Sequence, residues 1–472
     1  MESLRNTNRR NSKIAALLIF ACFISRAQAL TLQELLQAAS ENHPTIQAAR
    51  QGVNAANEDV TVARRQYWPT PSALVESGAP NRLQTPTQLL RIEQTLWDFG
   101  LTAANVKVAE RGADIAGAAF ETQRQTIGLQ VIDAWSTLLS SYGRMRVAQA
   151  LLARLKLHES MMLRRVKGEL STQVDLDLVR SRILQGQVEM TQAQTGVQLS
   201  ITRLQNLSGL PELETRFSPP PSLPSQTRLD AQFRLLAQSD WETAANRQPA
   251  VLRAEEELRQ GRERINAKTA QSRPQVYARF DQAVNGQRDS AVYLGLRYSP
   301  GAGFSNFAEE SALAARALAL EQSAEAARIE ARQSLELDRD NLRDAGLRAR
   351  SLDAAVQGAQ RVFESYERQF TAGRKTWIDL MNAVREVAQN AYSLVDANAA
   401  QAAALYRLQL RVDPTSIAAP VEQEMAPPFI AASTGDVIAN PDDIGDPTLQ
   451  LSLALSLAPP ISSAGSDTPN PR

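Results

Sequence analysis

The stretch Arg368-Gln-Phe-Thr-Ala-Gly373-Arg-Lys-Thr376-Trp-Ile-Asp379-Leu380 repeats a phrase found about 204 residues earlier. The earlier copy is Arg164-Arg-Val-Lys-Gly168-Glu-Leu-Ser171-Thr172-Gln-Val-Asp175-Leu176. Each reads basic residue, Gly, hydroxyl residue, Asp-Leu, with helix-patterned sequence on both sides. Glycine stops a helix because it tolerates a left-handed backbone, and the hydroxyl then caps the next helix. Working outward, other landmarks keep the same order and offset. Pro249 and Pro274 each stand 205 residues after Pro44 and Pro69, and Trp97-Asp-Phe-Gly100 falls opposite Pro300-Gly-Ala-Gly303. Four landmarks at nearly one offset define a tandem duplication of about 200 residues.

Each copy holds a helix, a β-hairpin, a very long helix, a turn and a returning helix. The long helices are predicted over Leu101–Val166 and Ala308–Phe370, each reaching roughly 100 Å at 1.5 Å per residue. Steps of four and three run through Ile127, Val131, Ala134, Leu138, Ser141, Met145, Ala148, Leu152 and Leu155. The returning helices carry the same spacing, through Ile183, Gly186, Met190, Ala193, Val197, Ser200, Leu204 and Leu207, and from Leu380 to Val412. This is coiled-coil spacing, and small residues at the seam allow close approach. The hairpins lie at about 71–96 and 275–298. In the second, Val276, Ala278 and Phe280 alternate with Tyr277, Arg279 and Asp281, and Val292, Leu294 and Leu296 alternate with Tyr293, Gly295 and Arg297. Such alternation suits a transmembrane strand and a half-buried soluble strand alike. Tyr67, Trp68, Trp97 and Phe99 sit at the helix-side ends, where an interfacial aromatic girdle would fall.

The ends of the chain differ in character. Arg5, Arg9, Arg10 and Lys13 precede an apolar run, Ile14 to Ile24, and then Ala27-Gln-Ala29. Residues 1–29 therefore read as a secretory signal peptide. The single cysteine, Cys22, lies within it, so the mature chain has no disulfide or thiol chemistry. The first repeat spans 30–209, a linker containing Pro219-Pro-Pro221 spans 210–238, and the second repeat spans 239–413. Residues 414–472 are Pro-rich and lack lysine, a composition expected to be disordered. Equal acidic and basic counts, 51 each, give no electrostatic reason for a nucleic-acid partner.

The duplicated plan, Asn42-His-Pro44 near the mature start, Gln94-Thr-Leu-Trp-Asp-Phe-Gly100 and the two Gly turns resemble the TolC family of outer-membrane channels. The likeness covers about Leu30 to Asp413. It implies a mainly α fold with four transmembrane strands per chain, a homotrimer sharing one barrel, and a helical tunnel in the periplasm. Four strands are in any case too few to close alone, since single-chain barrels start at about eight. The resemblance further implies export driven by an inner-membrane transporter, of ABC or RND type, through a periplasmic adaptor protein. The poor lipoprotein context of Cys22 tilts the cargo toward type I protein secretion over small-molecule efflux.

Position by position, Asp379 matches an acidic ring that closes the tunnel tip, and Lys375 matches a basic residue that helps hold it shut. Asn382 stands where a second acidic ring is expected, and Phe370 where the family can carry a linking tyrosine. Asp175 is then a latch partner for Lys375. The bland reading is that Asp175 and Asp379 cap the helices after Thr172 and Thr376. In the barrel, alternation places Val292, Leu294 and Leu296 toward lipid, and Arg91, Glu93, Arg279, Asp281 and Arg297 toward the lumen.

Catalysis has little to stand on. The two histidines, His43 and His158, lie far apart in sequence, with no His-x-x-x-His, P-loop or Gly-x-Ser-x-Gly pattern. His43 is expected at a helix break and His158 on a solvated helix face. No enzyme activity, metal or cofactor is expected. The rival reading is a soluble periplasmic coiled-coil adaptor or structural protein, which shares the long hairpins but does not need two alternating strand pairs.

Overall fold

The computed structural model describes residues 31–76, 87–211, 213, 217, 226–236, 240–284 and 290–412. The expected signal peptide, the Pro-rich tail and much of the expected linker lie outside these residues. All described residues fall within one compact unit, residues 1–429.

The two copies build matching elements. Helices α1 (Leu32–Asn42) and α2 (Pro44–Arg65) lead to strands β1 (Thr70–Glu76) and β2 (Thr87–Trp97). Helix α3 (Leu101–Lys167) and the returning α4 (Gln173–Ser208) complete the first copy. After α5 (Gln226–Leu236) and α6 (Trp241–Asn246), the second copy repeats the plan. It runs α7 (Pro249–Gln271), β3 (Gln275–Ala283), β4 (Ser290–Arg297), a 3-10 turn (Ala302–Phe304), α8 (Ser305–Thr371) and α9 (Trp377–Val412). Helices α3 and α8 both have 67 residues, and α4 and α9 both have 36. Equivalent halves so alike in length are the structural trace of the duplication.

Local chemistry explains the boundaries. Thr31 and Glu34 form a reciprocal capping box at the start of α1. His43 ends that helix in extended backbone, and its Nδ1 accepts from the Thr45 amide at the start of α2, where Pro44 occupies the first turn. Before α3, Asp98 accepts from the amides of Gly100 and Thr102 at 3.0 and 2.7 Å, with Gly100 at φ +89°. The expected break at His43 is therefore observed.

The α3/α4 and α8/α9 pairs are antiparallel hairpins. Their seams follow the spacing read from sequence: Ile127, Val131, Ala134, Leu138, Ser141, Ala148 and Leu155 are buried, and Met145 and Leu152 are half-buried. Glycine permits the close approach. A Cβ on Gly186 would meet Leu152 Cδ2 at 2.9 Å, and one on Gly196 would meet Ser141 Oγ at 2.6 Å. Two cores result. One packs Leu32, Trp135, Leu138, Leu204 and Leu405 with linker residues Leu213, Phe217 and Leu229. The other packs Met162, Leu176, Phe363, Phe370, Trp377 and Leu380 near the Gly turns.

The four strands form one antiparallel sheet in the order β1-β2-β3-β4. The central pairing, β2 with β3, joins the two copies: Arg91 faces Asp281 and Glu93 faces Arg279. No helix among the described residues is long and apolar enough to cross a membrane.

Candidate functional site

Two places concentrate the residues singled out in the sequence, the sheet and the end of the hairpins. In the sheet, register puts Arg91, Glu93, Arg279, Asp281 and Arg297 on one face, because all occupy in-phase positions of paired strands. They form a ladder of ion pairs. Arg91 Nε lies 2.9 Å from Asp281, Arg279 Nε lies 3.1 Å from the same carboxylate, and Arg297 reaches Glu93 at 2.8 Å. Arg279 also lies over Tyr293, and Arg297 over Tyr277. The opposite face is apolar and uncovered: Val292, Leu294 and Leu296 are 78%, 75% and 68% exposed, and Leu90, Ile92 and Phe280 continue it across the sheet. Exposed Tyr67, Trp68, Trp97 and Phe99 mark the helix-side margin, joined from the second copy by Tyr298, Phe304 and Phe307.

At the hairpin ends, both copies fold their turns alike. Thr172 and Asp175 cap one another: the Asp175 amide donates to Thr172 Oγ1 at 3.3 Å, and the Asp175 carboxylate accepts from the Thr172 amide at 3.1 Å. Thr376 and Asp379 do the same at 3.2 Å and 3.2 Å. The capping expected of both carboxylates is observed. The Thr376 hydroxyl and amide, followed by Lys375, hold the Asp379 carboxyl below the usual carboxylate range. Lys375 Nζ sits 3.9 Å from Asp379 and 4.4 Å above the Tyr366 ring. Within the chain it pairs with Asp379, while the Asp175 carboxylate is engaged by Thr172. Asn382 is exposed, and Phe370 is buried.

The two hairpins are joined at this end by residues that the sequence reading passed over. Trp377 Nε1 donates to the Asp175 carbonyl oxygen at 2.9 Å, linking second copy to first. Its ring packs on Phe370 at 5.2 Å and edge-on to His158 at 5.8 Å. Arg154 bonds Glu367 at 2.6 Å across the same joint, and Arg165 covers Phe370. His158 is not on a solvated face: only 3% of it is exposed. Burial first, and neighbouring Arg154 second, push its imidazole down to about 4. The alternating steps give no signal for this: beyond Leu155 they pass to Glu159 and then Met162, and His158 is buried by the rings that the second hairpin brings.

Residues 35–210 match the family described as Outer membrane efflux protein. No curated protein matches the chain. Among solved structures, a membrane protein from Pseudomonas aeruginosa aligns with TM-score 0.68 at 17% identity, covering 82% of this chain and 95% of its own. The outer membrane protein VceC of Vibrio cholerae aligns with TM-score 0.67 at 16% identity, covering 81% and 95%. The open-state MtrE outer membrane channel of Neisseria gonorrhoeae aligns with TM-score 0.65 at 15% identity, covering 81% and 88%. Residues 35–210 thus match the Outer membrane efflux protein family, and the chain shares its fold with the outer-membrane channels VceC and MtrE.

Proposed function

We propose that this chain is the outer-membrane channel of an export assembly. Three copies place their sheets side by side to close one barrel, with the apolar face toward lipid and the ion-pair ladder toward the lumen. The helices continue from the barrel as a periplasmic tunnel that receives cargo from an inner-membrane transporter, of ABC or RND type, through a periplasmic adaptor. The observation that carries this reading is the sheet itself. A four-stranded sheet with one exposed apolar face, one charged face and an aromatic margin is costly for a soluble protein to leave uncovered. In a bilayer that same face is matched to its solvent. The soluble adaptor reading gives no reason for it. The family description favours efflux as the broad class of export.

The test is location and assembly. Cells expressing the full chain are fractionated, and detergent-extracted protein is sized by light scattering after gel filtration. Outer-membrane recovery with three chains per particle is expected. A soluble periplasmic monomer would overturn the reading in favour of a coiled-coil adaptor.

A further inference from the structure

The joint between the two hairpins contains a titratable group that neither capping nor conduction uses. His158 lies between Phe363 at 6.1 Å and Trp377 at 5.8 Å, both edge-on. Its Nε2 is buried without a hydrogen-bond partner among the described residues. Glu367 Oε1 lies 3.9 Å away, but that carboxylate is already bound by Arg154 through its other oxygen at 2.6 Å. The turn ends of the other two helices bring Asp175 and Asp379, whose carboxylates are engaged by Thr172 and Thr376, with Lys375 between Asp379 and Tyr366. An imidazolium here would sit beside a guanidinium, among aromatic rings, with one shared carboxylate for two cations.

We infer that His158 is the acid-sensitive latch of the hairpin ends. While neutral, it wedges the first hairpin against Trp377 and Phe363 of the second, and its protonation parts them. Buried charge without its own partner is costly, and parting the hairpins lets water solvate it. The sign follows from the proton count. The docked joint holds the imidazole at about 4, against 6.5 when exposed, so docking binds fewer protons than parting. Docking is at full strength above pH 6.5 and weakens as pH falls toward 4. At pH 5 the linkage shifts the docked-to-parted balance roughly 30-fold per chain toward parting. Only the consequence, that parting widens the tunnel entrance, rests on the channel reading.

Because the mature chain has no cysteine, paired labels can be placed at will. Leu170→Cys and Arg374→Cys put one spin label on each exposed turn of the full, detergent-extracted protein. Distances between them are measured by pulsed spin resonance from pH 7.5 to 4.5. The expected result is a distance that lengthens with a midpoint between pH 4 and 6.5, and a transition abolished by His158→Phe, which keeps an aromatic wedge but cannot titrate. Circular dichroism at pH 7.5 checks folding, and His158→Met is the second non-titrating variant. An unchanged distance in the parent protein, or the same transition in both variants, overturns the latch. Bilayer conductance is recorded in parallel. Acid-driven separation without any conductance supports the latch and overturns the channel reading, so the two failures are distinct.

Discussion

Asp175 and Asp379 occupy the same place in two copies of one motif, and the same hydrogen bonds hold both. Each closes a capping box, so capping alone accounts for the acid being present in both turns. A gate role for Asp379 must be separated from that. Asp379→Asn keeps an oxygen acceptor for Thr376 and removes the charge. In the proposed trimer it is expected to lower cation preference and weaken block by multivalent cations, read as reversal potential and current in planar bilayers, with little change in melting temperature. Thr376→Ala should do the reverse, costing about 1 kcal/mol of stability with the reversal potential unmoved. The pH windows also separate the two sites. Asp379 titrates below its ordinary value, so its capping contribution is present above that value and lost only in stronger acid. Of these two sites, His158 is the one that changes charge between pH 4 and 6.5, and the His158→Phe variant assigns the transition.

At the scale of the element, two helical glycines carry opposite expectations. Gly143 of α3 faces Val395 of α9, whose Cγ1 would lie 2.5 Å from an added Cβ. Valine is stiff at χ1 and cannot turn aside cheaply. Gly143→Ala is expected to cost about 1–3 kcal/mol by overpacking, less up to about 1 kcal/mol of recovered helix propensity. Around Gly358 of α8 nothing lies within 4 Å, so Gly358→Ala should instead stabilise by up to about 1 kcal/mol. Thermal melts of the two variants should move in opposite directions. In the sheet, Leu294→Arg puts a guanidinium on the apolar face and is expected to cost about 2–4 kcal/mol near mid-bilayer. Arg297→Leu removes an ion pair to Glu93 that is half-exposed and worth about 0–1 kcal/mol. Trimer yield in membranes should fall for the first and hold for the second. Equal tolerance would mean the faces are misassigned.

For the molecule as a whole, the sheet and the hairpin ends place opposite demands on one chain. The sheet is left with an apolar face and free outer edges at β1 and β4, which three copies would pair with one another. The hairpin ends are closed within the chain, by Trp377 on Asp175, Arg154 on Glu367 and the rings around His158. Assembly should therefore depend on the sheet, and the state of the tip on the joint. Trp377→Phe tests this division. It keeps the ring and loses the bond to the Asp175 carbonyl, so the separation between turn labels should grow at pH 7.5 while the number of chains per particle stays the same.

The chain's duplication, the extent of its long helices, the alternating faces of its strands and the capped turns were all legible in the sequence. These features come from local rules: a 3.5-residue or two-residue period, a glycine that stops a helix, a hydroxyl and an acid that start one. Each is written within a few residues of where it acts. The sheet order, with β2 of one copy paired to β3 of the other, came only from the fold, as did the joint of His158 with Trp377. Those partners lie about 190–220 residues apart, and no periodicity records which hairpin packs on which. His158 shows the reason most clearly. As a residue in a helix pattern it reads as one polar position among many. Its depressed pKa exists only because a second hairpin arrives to remove it from water while Arg154 stays beside it.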